Sequence, residues 1–189
     1  MRLRILSIII VFLSTSQLIA QSNPIPEVSK KPLSKVSELS VLTGNWHMTV
    51  YMTEDGGKTW QPTPPQVVQI STGHKGMMLE EKPMDLSSPG FHMHSFITYD
   101  QYRKVYRKAA IDDVWGIMDI YEGNLNEGNL VLTNLKSKTY FPISDKVWRG
   151  FRLNIELKSP SRKMLIEKTD DDGKTWQPAF RVEYQLKVS

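Results

Sequence analysis

Phe91-His92-Met93-His94-Ser95-Phe96-Ile97-Thr98-Tyr99, then Asp100-Gln101-Tyr102-Arg103, then Lys104-Val105-Tyr106-Arg107-Lys108-Ala109-Ala110-Ile111-Asp112 is the stretch that decides the fold. Apolar and polar residues alternate through its first and last thirds, and a period of two puts alternate side chains on opposite faces of an extended strand. The polar break between them suits a chain reversal, because an Asp side chain bonds back to the N–H groups of its own turn. The stretch therefore reads as two antiparallel strands. In the first, Phe91, Met93, Ile97 and Tyr99 make the apolar, inward face, while His92, His94, Phe96, Thr98 and Asp100 share the other.

The same texture runs outward in both directions. Strands are expected near 45–53, 58–71, 76–83, 91–99, 104–112, 115–122, 129–136, 147–158, 162–169 and 175–188, separated by turn residues such as Gly73-His74-Lys75-Gly76, Ser87-Ser88-Pro89-Gly90 and Glu122-Gly123-Asn124. Two further turns are near copies: Thr53-Glu54-Asp55-Gly56-Gly57-Lys58-Thr59-Trp60-Gln61-Pro62 and Thr169-Asp170-Asp171-Asp172-Gly173-Lys174-Thr175-Trp176-Gln177-Pro178. Each reads as a tight hairpin whose Gly accepts φ > 0 and whose second strand opens on Thr-Trp. Both resemble the Asp-box motif of sialidase-type propellers, a hairpin-building element that carries no catalytic group.

About ten meandering strands without intervening helices would leave long edges in an open sheet, an invitation to edge-to-edge pairing. Closing the sheet removes the edges. The expected fold is all-β, an up-and-down antiparallel barrel of about ten strands with a short N-terminal helix. A propeller needs at least four four-stranded blades, more than this chain supplies, and a two-sheet sandwich is the rival architecture.

Before the strands come other signals. Arg2 and Arg4 precede the apolar run Ile5 to Leu13, and a small-residue region ends near Ala20, the layout of a secretory signal peptide over residues 1–20. Cleavage after Ala20 or after Ser22 fits. No later segment reaches the ~20 apolar residues that a helical membrane span takes. Residues 21–34 mix prolines with polar residues and read as a flexible linker. The remainder, 35–189, suits one domain, with a short helix capped by Ser34 or Ser37, running through Leu39 and Leu42 and stopped by Gly44.

The formal charge of +4 falls to +2 once Arg2 and Arg4 are removed, and acidic residues are interspersed with the basic ones, so no basic face for nucleic acid is implied. Cysteine is absent, so an exported chain folds here without disulfides and needs a proper apolar core.

Leu39-Ser40-Val41-Leu42-Thr43-Gly44-Asn45-Trp46 ends in a Gly-x-Trp that resembles the lipocalin signature. The resemblance implies a Trp closing the barrel floor with an Arg from the last strand packed across it, for which Arg181 is the candidate. The wider pattern is the Leu-x-Gly-x-Trp, Thr98-Tyr99-Asp100, Lys104-Val105-Tyr106, Tyr121-Glu122-Gly123-Asn124-Leu125, and an Asp-Gly-Lys-x-Trp hairpin before a basic last strand. Together these resemble the DUF1579 family of uncharacterised bacterial proteins, grouped with the calycins, over roughly 35–188. That resemblance implies a calycin-like barrel and no established reaction, so no catalytic residues carry over.

Alternation assigns Trp46, Met48, Val50, Met77, Tyr99, Trp115, Ile117, Tyr121, Phe151, Ile155, Met164, Phe180, Val182 and Tyr184 to the interior, which is filled core or an adaptable apolar cavity. Polar residues on the same faces are more telling, because an inward charge is costly unless paired. Arg107 alternates with Val105, Ala109 and Ile111, Asp119 with Ile117 and Tyr121, and Arg149 with Phe151. The leading expectation is an exported, non-enzymatic barrel that binds a small apolar or amphipathic molecule. Trp46, Tyr99, Arg107, Trp115, Asp119, Tyr121 and Phe151 would form the site. Fatty-acid-binding barrels place Arg and Tyr two apart on the last strand, whereas Arg181 and Tyr184 are three apart, which argues against that ligand class.

His92 and His94, at i and i+2, offer the one spacing suited to a shared metal ion, although no third ligand follows at a telling distance. A metal-assisted hydrolase or isomerase in the barrel mouth is the alternative function. Gly-x-Ser-x-Gly, His-Glu-x-x-His and phosphate-loop patterns are absent, no cofactor is implied, and adjacent Asp112 and Asp113 point to opposite faces of a strand. A third reading has Trp60 and Trp176 gripping carbohydrate or a partner, and requires both indoles exposed.

Overall fold

A computed structural model describes residues 29–157 and 161–187. The expected signal peptide and most of the expected linker lie outside those residues. The strands are Gly44–Met52 (β1), Gln61–Pro62 (β2), Gln66–Gly73 (β3), Met78–Pro83 (β4), Met93–Asp100 (β5) and Val105–Asp112 (β6). They continue with Met118–Asn126 (β7), Asn129–Thr133 (β8), Phe141–Ser144 (β9), Val147–Glu156 (β10), Ser161–Thr169 (β11) and Gln177–Leu186 (β12).

All pairings are antiparallel, and the sheet runs β1-β3-β4-β5-β6-β7-β8-β10-β11-β12 and back to β1, a closed barrel of 10 strands. Closure rests on registers such as Met48↔Tyr184 between β1 and β12 and Ile155↔Met164 between β10 and β11. Short β2 and β9 are side ribbons on β1 and β10. The expected strand 58–71 is broken between β2 and β3 by Pro64 and Pro65, which offer no N–H to a ladder. The strand expected from 115 starts at Met118, because Asp112 Oδ1 accepts hydrogen bonds from the N–H groups of Val114, Trp115 and Gly116 and holds them in a turn.

One end is plugged. Helix α1, Lys30–Ser37, is followed by a 3-10 turn at Ser40–Leu42, and Val36, Leu39 and Leu42 are buried over the barrel. The helix thus begins earlier than its expected caps and takes in residues assigned to the linker. Pro32 in its opening turns is compatible with helix, since the first N–H groups have no intrahelical partner to lose. Tyr106 ties the plug down from β6, its hydroxyl lying 2.9 Å from the Lys35 carbonyl oxygen and 3.0 Å from Glu38 Oε2.

At the other end stand the loops 53–60, 84–92, 113–117, 134–140 and 170–176. The two near-copy sequences build the same loop. Asp55 Oδ1 accepts from the N–H of Lys58 and of Thr59, each at 2.9 Å, and Asp171 Oδ1 accepts from Thr175 N–H at 2.9 Å. Gly57 at φ 94 and Gly173 at φ 87 occupy the turn position that a side chain resists. At Gly173 an added Cβ would also come within 2.7 Å of Leu135 Cδ1. Trp60 and Trp176 are half-buried beneath guanidinium groups, Arg181 at 4.8 Å from the first ring and Arg152 at 4.5 Å from the second. A grip made of two exposed indoles is therefore not what the hairpins present.

Candidate functional site

Period-two alternation sends one face of each strand inward. Val68 and Ile70 of β3, Leu79 of β4, Ile97 of β5, Leu130 and Leu132 of β8, Leu153 and Ile155 of β10 and Val182 of β12 supply the apolar core. Among them the same faces carry a cluster of charge. Lys108 of β6 and Arg162 of β11 are 4% and 2% exposed, and they meet Glu81 of β4, Ser95 of β5 and Tyr184 of β12 around what space remains. That space is a cavity of about 20 Å³ bordered also by Leu42, Ile70, Ile155 and Met164, with a second of about 10 Å³ beside it. Together they hold a few waters at most, since one water needs roughly 10–15 Å³.

Arg162 sits over the Trp46 ring, its guanidinium carbon 3.5 Å from the ring centre, and Nη2 donates to the Leu42 carbonyl at 3.0 Å. Trp46 Nε1 donates to the same carbonyl at 3.1 Å. Arg162 Nε and Nη1 are buried with no hydrogen-bond partner. Burial pushes this group down to about 10, which leaves it cationic at neutral pH. Burial likewise lowers Lys108, against the pull of Glu81, and its Nζ donates to Ser95 Oγ. The Tyr184 hydroxyl, kept protonated because burial raises it well above its usual value, donates to Glu81 Oε1 at 3.1 Å. Two basic side chains thus face the one carboxyl of Glu81, and the Nε and Nη1 donors of Arg162 are unused. The chemistry left over is that of an acceptor for a small anionic or carbonyl-bearing group.

The residues expected at the site do not converge on this cavity. Trp46 is buried in the floor as its sequence context implied, but the Arg across it is Arg162, not Arg181. Arg181 points outward over Tyr51 and Trp60, because its neighbours Phe180 and Val182 occupy the inward positions of β12. Arg107 is also outward, its Nε 3.9 Å from Glu122 Oε2, because the inward residues of β6 are Tyr106, Lys108 and Ala110. Trp115, expected inside, is 61% exposed in the β6–β7 turn, with its ring 6.0 Å from Phe91 and 5.7 Å from Phe141.

Tyr99 packs edge-on to Tyr106 at 5.1 Å, and Phe151 packs against the core. Asp119 and Tyr121 do face inward together, the Tyr121 hydroxyl donating to Asp119 Oδ2 at 3.0 Å, and burial raises the carboxyl. Arg149, also expected inward, instead forms a two-point pair with Asp170 near the loop end, both contacts at 2.8 Å.

His94 lies on the outer wall with Nε2 2.8 Å from Glu80 Oε1. His92 precedes β5 and is 3% exposed; its Nδ1 lies 2.6 Å from Asp113 Oδ2 and its Nε2 2.9 Å from Ser88 Oγ. The two imidazoles thus have separate partners, and no group of three or more His, Cys, Asp or Glu among the described residues is placed to hold a metal ion. Glu81, Ser95, Lys108 and Arg162 went unread in the sequence. The signal available was the phase of β4 and β11, where Glu81 alternates with Leu79 and Arg162 with Met164 and Ile166; β6 offers none, since both its faces carry a base.

A family model described as a protein of unknown function, DUF1579, matches residues 31–185. No curated protein matches the chain.

Proposed function

The chain belongs to the DUF1579 family, and we propose that it is a small-ligand-binding barrel whose site is the cavity between Arg162 and Lys108. The observation that carries this reading is the pair of buried, unpartnered N–H donors on Arg162 beside that cavity. A buried donor without a partner is costly, and Arg162 Nε and Nη1, on different edges of the guanidinium, each offer an N–H to an oxygen of a small anion. Lys108 adds a second nitrogen donor, while Glu81, held by Tyr184, repels a ligand with more than one negative charge. Ile70, Ile97 and Ile155 offer a short apolar tail its contacts.

At about 20 Å³ the cavity is far below the ~300 Å³ at the lower end of drug-sized sites, so the ligand is small and amphipathic rather than a bulky apolar one. Half-buried, unbranched Met164 borders the space and can swing to enlarge it. The reading also takes the protein as exported, on the strength of the pattern Arg2 to Ala20. Mass spectrometry of small molecules released from natively purified protein is the test. A stoichiometric monoanion is the expected result; a protein that releases none, and whose melting temperature no small carboxylate raises, would remove the proposal.

A further inference from the structure

The loop end of the barrel carries a second arrangement, separate from the floor cavity, that neither the fold nor the proposed ligand site uses. Ser88 sits in the loop between β4 and β5, His92 at the end of that loop, and Asp113 at the start of the turn between β6 and β7. Ser88 Oγ is 2.9 Å from His92 Nε2, and His92 Nδ1 is 2.6 Å from Asp113 Oδ2. Asp113 is locked to the histidine twice more: Oδ1 accepts from the His92 backbone N–H at 2.9 Å, and Asp113 N–H donates to the His92 carbonyl at 3.2 Å. We propose that Ser88, His92 and Asp113 form a nucleophile–base–orienter site for acyl transfer, and that its substrates are neutral esters with an apolar chain.

Each part has a role fixed by geometry. A carboxylate at Nδ1 holds the ring proton there and leaves Nε2 as the acceptor facing the Ser88 hydroxyl. The His92 hydrogen bonds to Asp113 keep that carboxyl below its usual range, hence ionised. His92 is 3% exposed whereas Ser88 is half-buried, so the base is shielded while the nucleophile can be reached. Asp85 holds the loop in shape: Oδ1 accepts from Ser87 N–H at 2.8 Å, and its carbonyl accepts from the Ser88 hydroxyl at 2.8 Å, so the step requires that proton to turn from this carbonyl to His92 Nε2, 2.9 Å away. The substrate class comes from the rim. Met84, Leu86, Val114 and Trp115 are 53%, 69%, 56% and 61% exposed, and all lie on the two segments that carry the three residues.

The step balances without a co-reactant other than water. Ser88 Oγ bonds to the ester carbonyl carbon as its proton moves to His92 Nε2. The tetrahedral adduct collapses by breaking the bond to the leaving alkoxide, which takes that proton from Nε2 and departs as an alcohol. Water then attacks the acyl-serine, giving its proton to Nε2, and the carboxylic acid leaves as Ser88 recovers its hydrogen.

The test uses the purified full chain with an alkyl fluorophosphonate and with nitrophenyl acetate and octanoate. The expected result is one phosphonyl adduct per chain at Ser88, with fluoride released, and faster turnover of the octanoate. Ser88→Ala, a change at a half-buried loop position, should abolish the adduct and cut hydrolysis by at least ~100-fold with the melting temperature kept. Asp113→Asn should lower kcat with KM unchanged, because it disturbs the ring's tautomer and not the rim. Should His92→Gln fail to fold, labelling of the unmutated chain still decides. Absence of an adduct at Ser88, or undiminished hydrolysis by Ser88→Ala, overturns the proposal.

Discussion

Arg162 covers the buried indole of Trp46 at 3.5 Å without a carboxylate in contact, so the barrel floor holds a cation whose compensation is a ring face and one backbone carbonyl. Stacking on an indole and one hydrogen bond offset only part of what it costs to strip water from a guanidinium. The same cation is the proposed ligand anchor, which separates its effects on stability and on binding.

Arg162→Met keeps the length and apolar contact of the side chain and removes the charge. The expected outcome in urea unfolding is equal stability or a gain of ~1–4 kcal/mol, as for other buried ions replaced by apolar residues. A clear loss of stability would mean that the ion holds the floor together.

Lys108 gives a pH signature. Burial lowers its folded value from the ordinary 10.5, so between the two values the unfolded chain binds more protons and stability rises with pH. Lys108→Met removes this term, leaving Ser95, Glu81, Tyr184 and Arg162 around the site. Its melting temperature should exceed that of the parent most at neutral pH, and the difference should shrink towards pH 10.5. A difference that is flat or grows with pH would contradict a charge held at a cost.

Asp171 in the β11–β12 hairpin has the opposite sign. Hydrogen bonds from the Thr175 hydroxyl and N–H lower its carboxyl to about 2 from 3.8, so its contribution is complete above 3.8 and is lost as pH falls through about 2. Asp171→Asn should melt lower at neutral pH, with the deficit shrinking below 3.8 and vanishing only below about pH 2. A deficit persisting there would assign the effect to packing instead.

The barrel was legible because alternation and turn residues repeat along the whole chain, and closure follows from the need to hide strand edges. Its charged interior was not, for local reasons. In Val105-Tyr106-Arg107-Lys108-Ala109-Ala110, both faces receive one base and one alanine, so composition cannot choose the phase; the ladder, with Lys108 opposite Ile97 and Tyr121, sets it. Arg181 could have been assigned outward from its place between Phe180 and Val182, which would have directed attention to Arg162 on β11. Ser88, His92 and Asp113 come from two loops, and no spacing along the chain brings loops together.

Export predicts a processed chain. N-terminal sequencing of the protein from the periplasm or medium of its native host should begin at Gln21 or Asn23. An intact Met1 start would end the export reading while leaving the barrel untouched.

Calorimetric titration of the full chain with acetate and butyrate at fixed ionic strength, in parallel with Arg162→Met, tests the floor site most directly. The account predicts saturable binding of one monocarboxylate per chain that the substitution abolishes. Heat that never saturates, or the same affinity in both proteins, would contradict it.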